Sequence, residues 1–249
     1  MTAHGPIVFA HRGASGYRPA NTLDAFALAL EQGAGGLESD AWLSADGVPV
    51  LVHDRVLPRR LRDRLLRRPP VVVTGATAAE LAARDIPSLP DLYAACGTGF
   101  ALSVDVKDPA VDEALVRAAT AVDAADRLYV CRRDPARLAA LREVDPNVRL
   151  VCSTALGRER GFLERLVADL VRHAVDAVNL RFDEWTPARV ALVHDAGLRA
   201  FGWGAHRDER VDRLVALGVD GIYSDFPDRA VARCARAGLA LPSAGRLQP

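Results

Sequence analysis

The feature that most restricts what this chain can fold into is a rhythm. Short apolar runs of strand length alternate with longer amphipathic stretches from end to end. The first run is Ile7-Val8-Phe9-Ala10, and in the stretch after it Leu23, Phe26, Ala27 and Leu30 fall on one face at helical spacing. Further strands are expected at 36–42, 100–106, 128–131, 148–152, 177–180, 199–203 and 221–223, and helices at 22–31, 89–96, 109–122, 135–144, 161–172, 187–196, 207–217 and 228–237. Asp46-Gly47 is a hairpin signal, so 48–52 is expected to pair back onto the second strand. The strand candidates are continuously apolar, as in a parallel sheet covered on both faces. About eight strand-plus-helix units in 249 residues match a (β/α)8 barrel, which needs roughly 250. A doubly wound open sheet is the competing arrangement, but no glycine-rich dinucleotide fingerprint occurs. The sequence therefore predicts an α/β protein, a (β/α)8 TIM barrel in one domain over 1–249.

One segment breaks the rhythm. Residues 55–77 hold Pro58, Pro69 and Pro70 with Arg59, Arg60, Arg62, Arg64, Arg67 and Arg68, and read as a short insertion after the second strand. A solvated loop is the plain account of these arginines. The interspersed Leu61, Leu65 and Leu66 would also suit a lid or a contact with anionic lipid. The tail after Leu241 is expected to be loose.

Charge narrows the function. The 32 basic and 32 acidic residues cancel, which speaks against a nucleic-acid binder, since those show a basic excess. Cys96, Cys131, Cys152 and Cys234 are far apart with no CxxC, so neither a disulfide framework nor a zinc pattern is expected. No apolar run approaches the roughly 20 residues of a membrane span, and no secretory signal is evident. The expectation is a cytoplasmic protein without a transmembrane segment. Its oligomeric state is not encoded in any feature of the sequence.

In a (β/α)8 barrel, chemistry sits at the C-terminal ends of the strands. His11-Arg12-Gly13 ends the first strand, the second carries Glu38 and Asp40, the hairpin ends in His53-Asp54, and the strand near 104 carries Asp105 and Lys107. Residues i and i+2 of a strand face the same side. Glu38 and Asp40 therefore face one way together, as do Asp105 and Lys107. Such pairs on a strand buried on both faces call for a functional cavity. Converging carboxylates repel unless a cation joins them, and oxygen ligands favour Mg²⁺ or Ca²⁺ over zinc. His11 and His53 suit a general acid–base pair. Arg12 and Lys107 are placed to hold an anion. Together these groups describe phosphoryl transfer.

The segment Ala10-His11-Arg12-Gly13-Ala14-Ser15-Gly16 resembles the opening motif of the glycerophosphodiester phosphodiesterases. So do Pro19-Ala20-Asn21-Thr22, Leu37-Glu38-Ser39-Asp40, Asp46-Gly47, Val52-His53-Asp54 and Ile86-Pro87, and near the end Gly218-Val219-Asp220-Gly221-Ile222 and Ser224-Asp225-Phe226-Pro227. The resemblance runs over roughly the whole chain. It implies a barrel with a small insertion after the second strand, a divalent metal on Glu38, Asp40 and Asp105, and catalysis by His11 and His53. It also implies a phosphate contact at Lys107, the only lysine of the chain, and a wall beside the glycerol at Trp203. The implied partner is a small-molecule glycerophosphodiester such as glycerophosphocholine, cleaved to glycerol 3-phosphate and an alcohol. Attack by the glycerol 2-hydroxyl would give a cyclic phosphate that water opens.

Three positions depart from that pattern. Ala20 stands where the family usually has glutamate, Asp105 replaces a commoner glutamate, and Gly204-Ala205 follow Trp203 in place of a polar pair. Asp105 with Lys107 also resembles the sphingomyelinase D group, so a lysophospholipase D or sphingomyelinase D-like activity is a competing expectation. Ala20 motivates another, a catalytically silent barrel that binds a phosphorylated ligand. His4, His173, His194 and His206 are read as structural or surface histidines, His206 falling just after a strand end near the rim. Tyr17, Trp42 and Phe182 are open between core and rim, while Trp185-Thr186-Pro187 reads as a helix start.

Overall fold

The computed structural model describes residues 5–59, 65, 69–157 and 161–242. In chain order its strands and α-helices are β1 (Ile7–His11), α1 (Leu23–Glu31), β2 (Gly36–Leu43), β3 (Pro49–Leu51), β4 (Val56–Leu57), β5 (Val71–Val72), α2 (Ala78–Ala82), α3 (Leu89–Cys96), β6 (Ala101–Val106), α4 (Asp112–Thr120) and β7 (Leu128–Arg132). They continue as α5 (Pro135–Ala140), β8 (Arg149–Ser153), α6 (Phe162–Arg172), β9 (Ala177–Arg181), α7 (Pro187–Asp195), β10 (Arg199–Trp203), α8 (Asp208–Leu217), β11 (Gly221–Ser224) and α9 (Pro227–Arg236). The parallel ladder runs β1-β2-β6-β7-β8-β9-β10-β11 and closes back on β1, which is the expected barrel. Strand β3 pairs antiparallel with the end of β2, as the Asp46-Gly47 turn predicts.

The period of two decides what faces where. Phe9, Ala101, Tyr129, Cys131, Val151, Ala177, Phe201 and Tyr223 pack against one another in the barrel interior. Their strand neighbours Val8, Ala10, Leu37, Leu102, Val104, Val130, Leu150, Val178 and Ile222 pack outward with the helices. Phe9 stacks on Tyr223 with ring centroids 4.8 Å apart and meets the edge of Tyr129 at 5.7 Å. Gly36 makes room for this plug, because a Cβ there would come within 2.6 Å of the Phe9 ring. Two residues further along the same inward registers the side chains turn polar. His11 follows Phe9, Asp105 follows Ser103, and Asp225 follows Tyr223. The aromatic floor thus ends where the charged mouth begins.

Helix starts follow local chemistry. Ser88 and Asp91 form a reciprocal cap at α3, and Thr186 caps α7 with Pro187 in its first turn. Trp185, just before that cap, is buried and donates its indole N–H to the Phe201 carbonyl at 2.8 Å. The expected helix at 109–122 divides into a 3-10 turn, Pro109–Val111, and α4. The one at 135–144 tightens after α5 into a second such turn, Leu141–Glu143, ahead of Pro146. Helix α2 had no hydrophobic period to reveal it and is started by a Thr77–Glu80 capping box. The insertion is not plain loop, because β4 and β5 pair antiparallel within it. Most of its arginine cluster, with His4 and the chain after residue 242, lies outside the described residues. Cys131, Cys152 and Cys234 are buried free thiols, and Cys96 is half-buried. No helix among the described residues is long and apolar enough to cross a membrane.

Removing one ring from the aromatic floor leaves a cavity that rigid strands cannot close. Phe9→Ala is expected to cost about 3–5 kcal/mol, read as a lowered denaturant midpoint with an unchanged slope.

Candidate active site

The site is assembled from the C-terminal ends of β1, β2, β6 and β11. Chain leaving β1 turns at once, with Arg12 in the left-handed region at φ 58° and Gly13 at φ 78°. A Cβ on Gly13 would lie 2.6 Å from the Ala25 backbone of α1, so only glycine fits this turn. The turn aims the Arg12 backbone N–H at Glu38 Oε2, 3.0 Å away. Asn21, also left-handed at φ 59°, donates its N–H to the Arg12 carbonyl at 3.0 Å. Its side chain accepts the Ser39 hydroxyl at 2.8 Å and reaches toward Asp40 Oδ2 at 3.4 Å. The short segment between His11 and Thr22 is therefore clamped onto both acids of β2.

Parallel pairing sets Asp40 beside Asp105 across β2 and β6. Lys107 bridges the two, with Nζ 2.9 Å from Asp40 Oδ1 and 2.5 Å from Asp105 Oδ2. Arg12 Nε lies 3.0 Å from Asp40 Oδ2 without aligned N–H···O geometry, and it is a buried donor with no hydrogen-bond partner among the described residues. Burial, then the charges of Asp40 and Asp105, push Glu38 up to about 7, against the pull of His11 and the Arg12 N–H. Three carboxylates thus face two cations, and every available donor on these acids is a hard oxygen. That donor set fits a hard divalent cation.

His11 Nδ1 is 2.7 Å from Asp225 Oδ1, and its Nε2 is 3.9 Å from Glu38 Oε2. The second Asp225 oxygen lies 3.0 Å from His206 Nδ1. Burial disfavours the His11 imidazolium, but Glu38 and then the Asp225 hydrogen bond outweigh it and raise the pKa. Asp225 resists burial because its hydrogen bonds to His11 and His206 favour the carboxylate, and its pKa falls. His11, His206 and Asp225 are close enough together to hold a metal ion themselves. Both Asp225 oxygens, however, are at hydrogen-bond distance from an imidazole, which suits a device that fixes two rings and turns each Nε2 away from the carboxylate.

The structure thereby brings together His11, Arg12, Glu38, Asp40, Asp105 and Lys107. His53 stands further out, in the loop after β3. Its Nδ1 is 2.7 Å from Asp54 Oδ1, and it shares a cavity of about 430 Å³ with Arg12, Ala20, Asn21, Leu51, Leu57 and Ile86. Trp203, at the end of β10, is 40% exposed. It lines a separate cavity of about 310 Å³ with Asp105, Arg132, Arg133, Ser153 and Thr154. Two members of the cluster were missed from sequence. Asp225 lay in a motif without an assigned role, although it continues the inward register of Tyr223. His206 was read as structural because its partner comes from another strand end. Of the other histidines, His173 Nδ1 lies 2.9 Å from the Asp169 carbonyl and His194 Nε2 is 2.8 Å from Asp220 Oδ2, both away from the site. Tyr17 packs edge-on against Phe226 at the rim, Trp42 donates to the His53 carbonyl, and Phe182 lies under the Arg210 guanidinium.

The sequence profile of the glycerophosphoryl diester phosphodiesterase family matches residues 11–229. A glycerophosphodiester phosphodiesterase of Caldanaerobacter subterraneus subsp. tengcongensis is 27% identical over 90% of this chain and 96% of the relative. The solved structure of a proposed glycerophosphoryl diester phosphodiesterase from Silicibacter pomeroyi is 26% identical, with a TM-score of 0.80 over 95% of both chains. An Oleispira antarctica phosphodiesterase, solved with the product sn-glycerol-3-phosphate, shares the fold at 22% identity and a TM-score of 0.74, over 92% of this chain and 97% of that one. The chain belongs to the glycerophosphoryl diester phosphodiesterase family and is a phosphodiesterase.

The Asp225 geometry makes a spectroscopic prediction. In metal-free protein, Asp225→Asn removes the carboxylate that favours the His11 imidazolium, so the His11 pKa measured by ring ¹⁵N NMR is expected to fall. An unchanged or raised value would show that Asp225 does not set it.

Proposed function

We propose that the enzyme hydrolyses glycerophosphodiesters to glycerol 3-phosphate and an alcohol, using a divalent cation, Mg²⁺ or Ca²⁺, on Glu38, Asp40 and Asp105. The observation that carries this reading is the convergence of those acids with Lys107, Arg12 and His11 at one barrel mouth. Its support from outside the chain is membership of the phosphodiesterase family. When bound, the cation would offset charge on the phosphoryl oxygens. Arg12 and Lys107, already within reach of the same carboxylates, would hold the phosphate between them.

The remaining chemistry belongs to the imidazoles. His11, with Nδ1 turned to Asp225, offers Nε2 to the glycerol 2-hydroxyl and takes its proton as that oxygen bonds to phosphorus. His53, held through Nδ1 by Asp54, offers its Nε2 in the cavity it shares with Leu51 and Ile86, which would take the leaving alcohol. It gives a proton to the departing oxygen as the P–O bond breaks. Water then opens the cyclic phosphate at the 2-oxygen, passing a proton to the imidazole that lost one while the 2-oxygen regains one from its partner. Glycerol 3-phosphate is released with both histidines back in their starting states. The Trp203 ring would wall the glycerol half.

The alternative lysophospholipase D or sphingomyelinase D-like reading draws on Leu51, Leu57, Pro58 and Ile86 beside His53. Against it, the cavity beside Trp203 is lined by Arg132, Arg133, Ser153 and Thr154, poor surroundings for an acyl chain.

Release of glycerol 3-phosphate from glycerophosphocholine is expected to require added Mg²⁺ or Ca²⁺, to stop with EDTA, and to fall by about 10²–10⁴ in His11→Ala. Equal rates in EDTA would remove the metal assignment. Faster turnover of lysophosphatidylcholine than of glycerophosphocholine would favour the lipid reading. Tight binding of glycerol 3-phosphate with no turnover of either substrate would favour the silent barrel.

A further inference from the structure

Most cations around the mouth have a counter-charge at hand. Lys107 engages Asp40 and Asp105, Arg12 lies against Asp40, Arg132 pairs with Asp112, and Arg181 pairs with Asp183. Arg133 differs, because its guanidinium has no hydrogen-bond or ion-pair partner among the described residues. It follows β7 directly, at the position that continues the inward register of Tyr129 and Cys131, whereas Arg132 belongs to the outward set and turns to α4. Arg133 also lines the cavity that holds Trp203 and Asp105. Ser153 in the same cavity accepts the Asn179 amide at 3.2 Å, which leaves its own proton to donate.

An exposed arginine on a protein surface needs no ligand, but this one stands in a concave site beside the reacting centre. A guanidinium carries five N–H donors and no acceptor, in a planar fork that matches phosphate and carboxylate oxygens. The acid that shares its cavity, Asp105, is already engaged by Lys107. An anion entering between Arg133 and Ser153 would therefore meet unspent donors.

We propose that the cavity beside Trp203 is a subsite for a second anionic group, and that the enzyme prefers glycerophosphodiesters whose glycerol half carries a further phosphate on its far carbon. The proposal rests on the placement of the scissile phosphate at Arg12 and Lys107 and of the glycerol half beside Trp203. A glycerol phosphorylated at both ends keeps its 2-hydroxyl free, so the attack derived above is preserved. The second phosphate then lies one glycerol away, on the side of the mouth where β7 presents Arg133.

The test compares kcat/KM at fixed ionic strength, in metal-loaded protein, for glycerophosphoglycerol, bis(glycerophospho)glycerol and glycerophosphocholine. Wild-type protein is expected to favour bis(glycerophospho)glycerol over glycerophosphoglycerol by about tenfold or more, the scale of one charge-assisted hydrogen bond. Arg133→Gln should shrink that ratio to about the factor of two that two cleavable bonds allow, and Arg133→Glu should shift preference toward glycerophosphocholine. A ratio equal in wild type and Arg133→Gln, with glycerophosphoglycerol readily cleaved, would overturn the subsite while leaving the general reaction standing. No cleavage of any of the three diesters would overturn the reaction and the subsite together. The Arg133 side chain is exposed and makes no hydrogen bond or ion pair among the described residues, so the variants should keep the wild-type unfolding midpoint, which is measured alongside.

Discussion

Holding the carboxyl groups of Glu38, Asp40 and Asp105 side by side in a partly buried place is the constraint on which the barrel mouth depends. Each carboxylate removed from water carries a desolvation cost, and each raises the cost of its neighbours. The structure meets part of that cost with fixed donors. The Arg12 N–H is aimed by a left-handed turn, the Asn21 amide is held by Ser39, and the Lys107 ammonium sits between Asp40 and Asp105. What remains is visible in Glu38, whose pKa burial still pushes up to about 7. Uncompensated negative charge on hard oxygen donors is the chemical ground for the divalent cation proposed at this mouth. The glycine turn, the clamp on β2 and the parallel register of β2 with β6 all support the cation site proposed above.

Asp225 makes a second, separate contribution. It engages His11 and His206 through Nδ1 of each, so the orientation of the His11 ring is fixed from the side opposite the acids of β2 and β6. The mouth therefore has an acidic side on β2 and β6, an imidazole–carboxylate side on β1 and β11, and an arginine side on β7. Arg12 lies at the join of the first two. The two flanking cavities give an unsymmetrical diester two unlike environments, one with apolar side chains near His53 and one with polar groups near Trp203.

Much of this was legible before any coordinates. Eight apolar runs with helices between them point to parallel strands covered on both faces, and the count of eight without a dinucleotide fingerprint favours the closed barrel over a doubly wound open sheet. Glu38, Asp40, Asp105 and Lys107 stood out since charge in such a strand is costly without a purpose, and period two placed each pair on one face. His206 and Asp225 were not assigned a role for a physical reason. They sit in different loops, and only closure of β11 onto β1 and β10 makes them neighbours. The hairpin of β4 and β5 escaped for another reason, since strands of two residues carry no periodicity. The raised pKa of Glu38 and the lack of a side-chain partner for Arg133 among the described residues are properties of packing and could not be counted from a sequence.

The most direct test of the central claim is a calorimetric titration of metal-free protein with Mg²⁺ or Ca²⁺, comparing wild type with Glu38→Gln, Asp40→Asn and Asp225→Asn. The account predicts one divalent cation per chain in the wild type. Affinity should fall by at least about tenfold in the β2 variants, the scale of losing one charge-assisted ligand, and be largely retained in Asp225→Asn. Binding that survives in Glu38→Gln and Asp40→Asn but vanishes in Asp225→Asn would place the cation between His11 and His206 and contradict the account.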